Sequence, residues 1–492
     1  MHILPETAYP PSGIHDPRPA NTRSPRRLIR KCGGIAAAML LFVLTAGGCA
    51  SAPAEKSAWP QPRPLGRELD SFVPPHPPHS SAPGHRIEFN APTGTLTLRD
   101  ALAATLLGSP DLAATAYEVR AREAEILQAG LLPNPEIELE LEEFGGTGDL
   151  SGFDSASVQL KLSQLIELGG KRIKRRRVAG YEAQSAGWDY EIRRIDVLSM
   201  TAADYAKVLA AERRLRIARD AAELAQRVFD AVGERVDAGK VPPVERTKAG
   251  VESARAQVVL QTAQRAVHAA RIRLASNWGS IEPGFDELAG DLDHAEPPPA
   301  LGSLLTRVEQ NPDLARWTAE AALRRAEVEL QLARRIPNLK VAGGVRYFNE
   351  TDDTAFLLSL SMPLPIFDRN QGGIEAARLR AIRQGHLEDA NRVQIRTAVA
   401  ETHQAIDTAF FAVQMTRDRV LPGAEEAFAA AEEAFRQGKI GALDLFDAQR
   451  TLFEARRQLL DALISYQLSV IAGERLIGAP LHGDVQITGE DQ

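Results

Sequence analysis

Leu132-Pro133-Asn134-Pro135-Glu136-Ile137-Glu138-Leu139-Glu140-Leu141-Glu142 is the stretch in which the chain changes its period. Upstream, from Leu98 to about Gly130, alanine, leucine and glutamate recur at helical spacing. Pro133 and Pro135 stop that helix, because proline has no amide hydrogen to donate and its ring crowds the preceding turn. From Glu136 the period is two: Glu136, Glu138, Glu140 and Glu142 alternate with Ile137, Leu139 and Leu141, which puts carboxylates on one face of a strand and aliphatic groups on the other. A turn at Gly145-Gly146-Thr147-Gly148-Asp149 follows, and then Ala156, Val158, Leu160 and Leu162 alternate with polar residues. Residues 135–163 therefore predict a β-hairpin.

The same arrangement occurs twice. Ser109-Pro110-Asp111-Leu112-Ala113 is answered by Asn311-Pro312-Asp313-Leu314-Ala315 at an offset of 202, and Leu132-Pro133-Asn134 by Ile336-Pro337-Asn338 at 204. Gly169-Gly170 pairs with Gly372-Gly373 at 203, and Gly239-Lys240 with Gly438-Lys439 at 199. Landmarks kept in order at nearly constant spacing predict two copies of one supersecondary unit, each too long to be a solenoid repeat. The second copy contains its own hairpin over 339–362, in which Leu339, Val341, Val345 and Tyr347 alternate with Lys340, Ala342, Gly344 and Arg346 before Phe356, Leu358, Leu360 and Met362. The copies span 96–295 and 296–478, with a tail at 479–492.

Strands of about nine residues are long enough, when tilted, to cross a bilayer. Four strands close no useful transmembrane barrel and lipid tolerates no open sheet edge, so subunits must share one barrel; three copies give twelve strands. The alternative is a pair of soluble antiparallel sheets, and helix lengths argue against it. One helix is predicted over 170–237, about 100 Å at about 1.5 Å per residue. The helices at 98–130 and 243–278 together match its length, and in the second copy those at 301–335 and 442–476 match one at 372–437. Such long helices need lateral neighbours. The economical construction is a tube of side-by-side helices, joined to the hairpins at one end and turning at Gly239-Lys240 and Gly438-Lys439 at the other. Small faces such as Ala202-Ala203, Ala221-Ala222 and Ala429-Ala430-Ala431 permit close helix approach.

Composition agrees. The chain has 492 residues, 44% apolar and only 5% aromatic, which suits Ala/Leu helices and excludes wholesale disorder. Its 58 basic and 65 acidic residues leave a net charge of −7, no global attraction for nucleic acid. Arg23, Arg26, Arg27, Arg30 and Lys31 precede a short apolar run from Gly33 to Gly48, the pattern of a secretory signal over 1–48. Ala46-Gly47-Gly48-Cys49 resembles a lipoprotein processing box, so Cys49 is the expected acylation site; ordinary secretion is the alternative. Cleavage removes six basic and two acidic residues, which takes the net charge from −7 to −11, and discards Cys32. Residues 49–95, rich in proline, serine and histidine, read as a tether or as a wrap along a neighbour's surface. His76, His79 and His85 there have no scaffold to organise a metal site.

The whole layout resembles the TolC family of trimeric outer-membrane efflux factors, and especially its heavy-metal efflux branch. The residues that carry this resemblance are Asn134, Leu165-Ile166-Glu167-Leu168-Gly169-Gly170-Lys171-Arg172, the two-copy plan and Leu443-Asp444-Leu445-Phe446-Asp447-Ala448, over roughly Leu96 to Gly478. It implies a mainly α protein with membrane β structure: a homotrimer with a shared 12-stranded barrel, continued by a periplasmic helical tunnel that docks to a periplasmic adaptor and an RND-type inner-membrane pump. No cofactor is implied apart from the covalent lipid.

The resemblance places gate carboxylates at Asp444 and Asp447. Three apart near a helix start, the two share one face and gain from the helix dipole, and either could instead be a cap or a solvated residue. Ile440 stands where the family's gates commonly supply a basic group. Glu136, Glu138, Glu140 and Glu142 are expected to line the barrel lumen. Lys171, Arg172, Lys174, Arg175, Arg176 and Arg177 open the long helix against the favoured dipole sign, which suits a position against anionic headgroups; a solvated face or balancing of nearby acids are the alternatives. The patch has no aromatic stacking partners, so nucleic acid is not expected. No Ser/His/Asp set, metal-hydrolase spacing or phosphate loop is present, and an enzyme is the poorer reading. The other open readings are a duct for drugs or organic solutes and a non-conducting, lipid-anchored envelope spacer. The first prediction concerns the anchor: intact-mass measurement of Cys49→Ser should lose a diacylglyceryl-sized mass, and an unchanged mature mass would exclude acylation there.

Overall fold

The computed structural model describes residues 57–74 and 91–481. Cys49, the signal segment and His76, His79 and His85 lie outside the described residues. The first copy consists of β1 (Gly94–Leu96), α1 (Leu98–Gly108), α2 (Pro110–Ala129), β2 (Glu136–Glu142), β3 (Ser157–Ile166), α3 (Lys171–Asp237), α4 (Pro243–Ser276) and β4 (Phe285–Leu288). The second consists of α5 (Leu301–Arg307), α6 (Pro312–Ala333), β5 (Leu339–Phe348), β6 (Asp353–Ser361), α7 (Gln371–Met415), α8 (Leu421–Arg436) and α9 (Ala442–Ile477).

Proline decides where the helices depart from the simpler expectation. The helix expected over 98–130 is two, broken at Ser109-Pro110, and the one expected over 301–335 breaks likewise at Asn311-Pro312. At each break proline occupies the first helical position, where a missing amide hydrogen costs nothing. Ser109 Oγ accepts from Leu112 N at 3.4 Å, and Asn311 Oδ1 accepts from Asp313 N at 2.6 Å and Leu314 N at 3.3 Å. The helix expected over 372–437 is interrupted by one π-turn, Thr416–Val420, because Pro422 cannot donate to the carbonyl four residues before it. Its counterpart α3 contains no proline and runs unbroken. Gly372-Gly373 lie inside the first turn of α7; the structural counterpart of Gly170 is Asn370, both being left-handed helix N-caps with φ of 68° and 57°.

The two hairpins form one sheet, in the order β2-β3-β5-β6, through an antiparallel ladder from Ser157↔Phe348 to Ile166↔Leu339. Register holds the faces apart across all four strands. Ile137 stands opposite Leu162, Leu160 opposite Val345, and Val345 opposite Phe356, so one face is aliphatic and aromatic. It is also bare: Leu139 is 71% and Phe356 86% exposed. β2 and β6 are the edge strands, each paired on one side only among the described residues.

Below the sheet the helices form a layer. α2 and α4 pack on one side of α3, α6 and α9 on its other side, and α7 and α8 beyond those. The outer columns therefore run on from the edge strands: α2 leads into β2, and β6 leads into α7. Both outer columns present apolar side chains to the outside, among them Val251, Val258 and Val259 of α4 and Ile382, Val393 and Phe411 of α7. Each proline break lies in a buried core: Leu304, Val308, Ile406, Leu460, Leu463 and Ile477 meet around the second, and Leu106, Leu112, Val197 and Leu198 around the first. A short parallel pair, β1 with β4, was not expected from the sequence; Tyr205 OH lies 2.8 Å from the Leu96 carbonyl and 2.5 Å from that of Ala289.

The segment 57–74 packs along its own chain. Trp59 meets Tyr190 edge-on at 4.9 Å, and Phe72 N donates to Leu106 O at 3.1 Å. At Gly187 a methyl group would stand 2.0 Å from the Ala58 carbonyl, so only glycine lets the segment lie flat there. Its chief fastening is an ion pair, Arg194 with Glu191 at 2.8 Å, each side chain 2% exposed. Spare hydrogen bonds of that pair go to the segment's backbone: Arg63 N donates to Glu191 at 2.6 Å, and Arg194 donates to the carbonyls of Arg63 and Gly66 at 3.2 and 3.3 Å. Glu191→Leu should leave Arg194 buried without its counter-charge, at a cost of about 3–5 kcal/mol. Thermal unfolding should show a marked loss, limited proteolysis should cut within 57–74, and Glu191→Leu/Arg194→Leu should be the milder variant. Equal damage from both would mean that the pair does not hold the segment.

Candidate functional site: the sheet's polar face and the helical tips

The face of the sheet opposite the aliphatic one carries Glu136, Glu138, Glu140 and Glu142 on β2, Gln159, Lys161 and Ser163 on β3, and Lys340 and Arg346 on β5. The carboxylates are not a bare acidic column. Lys340 Nζ reaches Glu136 and Lys161 Nζ reaches Glu140, each at 2.7 Å, and Arg346 pairs with Glu142. Glu138 stands opposite Lys161 in the ladder. Four carboxylates thus meet three cations. Lys161, Lys340 and Arg346 were visible in the sequence as polar members of an alternation; Lys161 meets Glu140 across the first hairpin, but the pairing of Lys340 and Arg346 with the glutamates depends on the β3–β5 ladder, which joins the two copies.

Beneath the sheet, the basic run that opens α3 is largely engaged within the chain. Lys171 Nζ donates to Asn338 Oδ1 at 2.5 Å and Arg177 pairs with Glu329 at 2.8 Å. Arg175 forks onto Glu167 at 2.6 and 3.1 Å while its Nε donates to the Ala129 carbonyl at 3.0 Å. The hydrogen bonds from Arg175 hold the Glu167 carboxyl below the usual carboxylate range. These three cations tie α2, the β3–α3 connection and the second copy together, which favours the balancing of nearby acids over a uniform headgroup patch. Arg172 is exposed, and Lys174 and Arg176 are half-buried.

At the far end both tips close by the same hydrogen bonds. Lys240 N donates to Arg235 O and Gly239 N to Val236 O, both at 2.9 Å; Lys439 N donates to Ala434 O and Gly438 N to Phe435 O, again at 2.9 Å. Gly239 and Gly438 take φ of 68° and 73°, the left-handed conformation this helix ending requires. The two tips share an apolar cluster containing Val228, Val232, Phe435 and Leu445, and the half-buried Ile440 packs into it. Arg235 clasps one tip to the other: its guanidinium lies 4.1 Å from the Phe435 ring centroid and donates to the Phe435 carbonyl at 2.7 Å. Nothing in the local sequence marks Arg235, because the contact joins residues in different copies.

Asp444 and Asp447 follow the second tip in the first two turns of α9, both exposed. Asp444 Oδ2 accepts from Gly441 N at 3.2 Å, which caps the helix, and Asp447 pairs with Arg450. Beside Asp447 lies a groove of about 400 Å³ lined by Ala225, Val259, Phe446, Arg450 and Phe453 among others. Among the described residues no group of three or more His, Cys, Asp or Glu side chains could hold a metal ion.

An amphipathic four-stranded sheet with two free edges, standing on a layer of helices that turn at paired tips, defines one third of an outer-membrane channel. The chain belongs to the outer membrane efflux protein family, whose model matches residues 101–280 and 306–479, once in each copy of the duplication. It is 34% identical over 385 residues to the cobalt-zinc-cadmium resistance protein CzcC of Cupriavidus metallidurans, spanning 78% of this chain and 90% of the relative. It is 26% identical over 398 residues to the pyoverdine export outer membrane protein OpmQ of Pseudomonas aeruginosa, spanning 76% of this chain and 83% of that protein. Among solved structures, the CmeC channel of Campylobacter jejuni superposes with a TM-score of 0.67 at 15% identity over 77% of this chain and 85% of its own. CusC superposes with a TM-score of 0.65 at 16% identity over 87% and 99%. The chain is therefore the outer-membrane channel component of a tripartite efflux system: a homotrimer with a shared β-barrel and a periplasmic helical tunnel, working with an adaptor and an inner-membrane pump, a passive conduit and not an enzyme.

Removal of the clasp should loosen the tips without unfolding the channel. In Arg235→Ala, amide exchange should accelerate at least several-fold in 224–250 and 428–446 and stay unchanged in the sheet. Unchanged exchange at both tips would show that the apolar cluster alone holds them.

Proposed function

We propose that this chain is the exit duct for divalent heavy-metal cations, with the polar face of the sheet lining the barrel and the carboxylates of Asp444 and Asp447 forming the periplasmic constriction. The observation that carries the substrate class is the 34% identity to a cobalt-zinc-cadmium resistance protein over 90% of that protein's length. A second reading, a duct for organic solutes, draws on the 26% identity to a pyoverdine exporter. The chemistry of the walls suits the metal reading in a limited way. Three of the four barrel glutamates are paired with cations, so the barrel would attract ions only weakly and would not strip their water. Discrimination between metals would then rest with the pump that delivers them.

At the tip, three copies of each aspartate would gather up to six carboxylates at the narrow end. Each aspartate has one oxygen engaged, Asp444 on the Gly441 amide and Asp447 on Arg450, but Asp447 also borders the groove of about 400 Å³ and is the better placed to meet a passing cation. Arg450 and the basic groups of neighbouring chains would set how far the carboxylates can approach one another. In planar bilayers, Asp444→Ala/Asp447→Ala should keep the trimer and lose most of the block of single-channel current by millimolar divalent ions. Asp447→Ala alone should cause the larger share of the loss. Identical block and cation preference in parent and double variant would reduce both aspartates to caps or surface residues. The barrel lining is tested separately: Lys161→Gln/Lys340→Gln/Arg346→Gln should shift the reversal potential toward cation selectivity in a salt gradient, and no shift would mean that this face does not border the conducting path.

A further inference from the structure

Just below the sheet, the two copies meet at a joint inside the chain. One side is the β3–α3 connection, where Gly170 caps α3 and Lys171 Nζ donates to Asn338 Oδ1 at 2.5 Å. The other is the α6–β5 connection, Ile336-Pro337-Asn338, which presses so closely that a methyl at Gly169 would come within 2.9 Å of Ile336 Cδ1. The duplication supplies each side of this joint once more. Leu132-Pro133-Asn134 is the α2–β2 connection, and residues 362–370 are the β6–α7 connection, with Asn370 in the place of Gly170 and Gln371 in the place of Lys171. Within one chain the second pair stays apart, because β2 and β6 are opposite edges of the sheet.

Both unmatched halves are exposed. Leu131 and Leu132 are bare on one, as are Leu364, Ile366 and Phe367 on the other, Phe367 at 90%. Next to Leu132 lies a mainly apolar groove of about 610 Å³, lined by Ala129, Leu131, Pro133, Arg175 and Val178 among others. We propose that the outer halves meet between protomers and repeat the inner joint: the β6–α7 connection of one chain docks on Leu132-Pro133-Asn134 of the next. Phe367 and Ile366 fill the groove, and Gln371 hydrogen-bonds Asn134. The occupant is a second copy because this surface continues the β2 and β6 edges that pair in the shared barrel, and the inference rests on that sharing. Gln371 is prepared for the role. Its Oε1 accepts from Arg369 N at 2.9 Å and its Nε2 donates one hydrogen to Phe367 O at 3.2 Å, which leaves the second Nε2 hydrogen for Asn134. The outer joint is not an exact copy, since Arg369 replaces Gly169. Its side chain folds back onto the Pro365 carbonyl at 3.1 Å, and its Cβ keeps the approaching connection farther off than Gly169 does in the inner joint.

Cysteine cross-linking in the purified channel tests this arrangement. A short bis-methanethiosulfonate cross-linker on Asn134→Cys/Gln371→Cys should give covalent dimers and trimers on a denaturing gel, whereas on Lys171→Cys/Asn338→Cys it should give only an internally linked monomer, the linker replacing the length of the lysine or glutamine side chain. A trimer seen by native mass spectrometry that yields no covalent dimer would overturn the joint while leaving the shared barrel intact. If the cysteine pair does not assemble, the photoreactive analogue benzoylphenylalanine at position 367 provides the second measurement. Adducts on residues 129–134 or 175–178 of another protomer support the joint; adducts confined to lipid or to the same chain refute it.

Discussion

A sheet with two unpaired edges cannot stand in a bilayer, and the rest of the molecule is arranged around that constraint. Hydrocarbon offers no water to an unpaired amide or carbonyl, and each one left open costs several kcal/mol. The outer edges of β2 and β6 have no partner among the described residues, so closure must come from further copies. The aliphatic face of the sheet then has a place against lipid, and the polar face is left to border water. The helical columns under the same two edges also carry exposed apolar side chains.

Duplication makes this closure economical. The duplication supplies the left-handed cap and the x-Pro-Asn turn twice each; one cap and one turn meet inside the chain, and the others are left at opposite edges of the sheet, where we propose that they meet between chains. The helices answer a different demand. An unbroken column of about 100 Å survives only with lateral support, and α3 has neighbours on both sides. The second copy accommodates Pro422 with a π-turn, which keeps the column continuous where a kink would break its packing.

Charge along the molecule is mostly paired. Lys161, Lys340 and Arg346 answer glutamates of the sheet, Arg175 answers Glu167, and Arg194 and Glu191 bury each other's charge while they hold the N-terminal segment. Walls whose charges are mostly compensated suit a passive conduit, in which the direction of transport comes from the pump. Near the tips the exposed aspartates of α9 stand close to a turn that Gly438 leaves free to form.

The sequence alone determined the features that are local or periodic. Alternation from Glu136 to Glu142 marks the first strand, the repeated Pro-Asn and Gly-Lys landmarks mark two copies, and strand number against lipid implies sharing between subunits. It also contained the Ser109-Pro110 and Asn311-Pro312 breaks, although those residues read there only as repeat markers inside helices expected to be continuous. What it could not determine are contacts between residues far apart in the chain. Lys340 and Arg346 find their glutamates only once β3 pairs with β5, Arg235 meets Phe435 only when two tips come together, and segment 57–74 finds its place only against Glu191 and Arg194. A side chain's period fixes which face it occupies, but its partner is set by how separate elements pack, and that packing is decided by the tertiary structure.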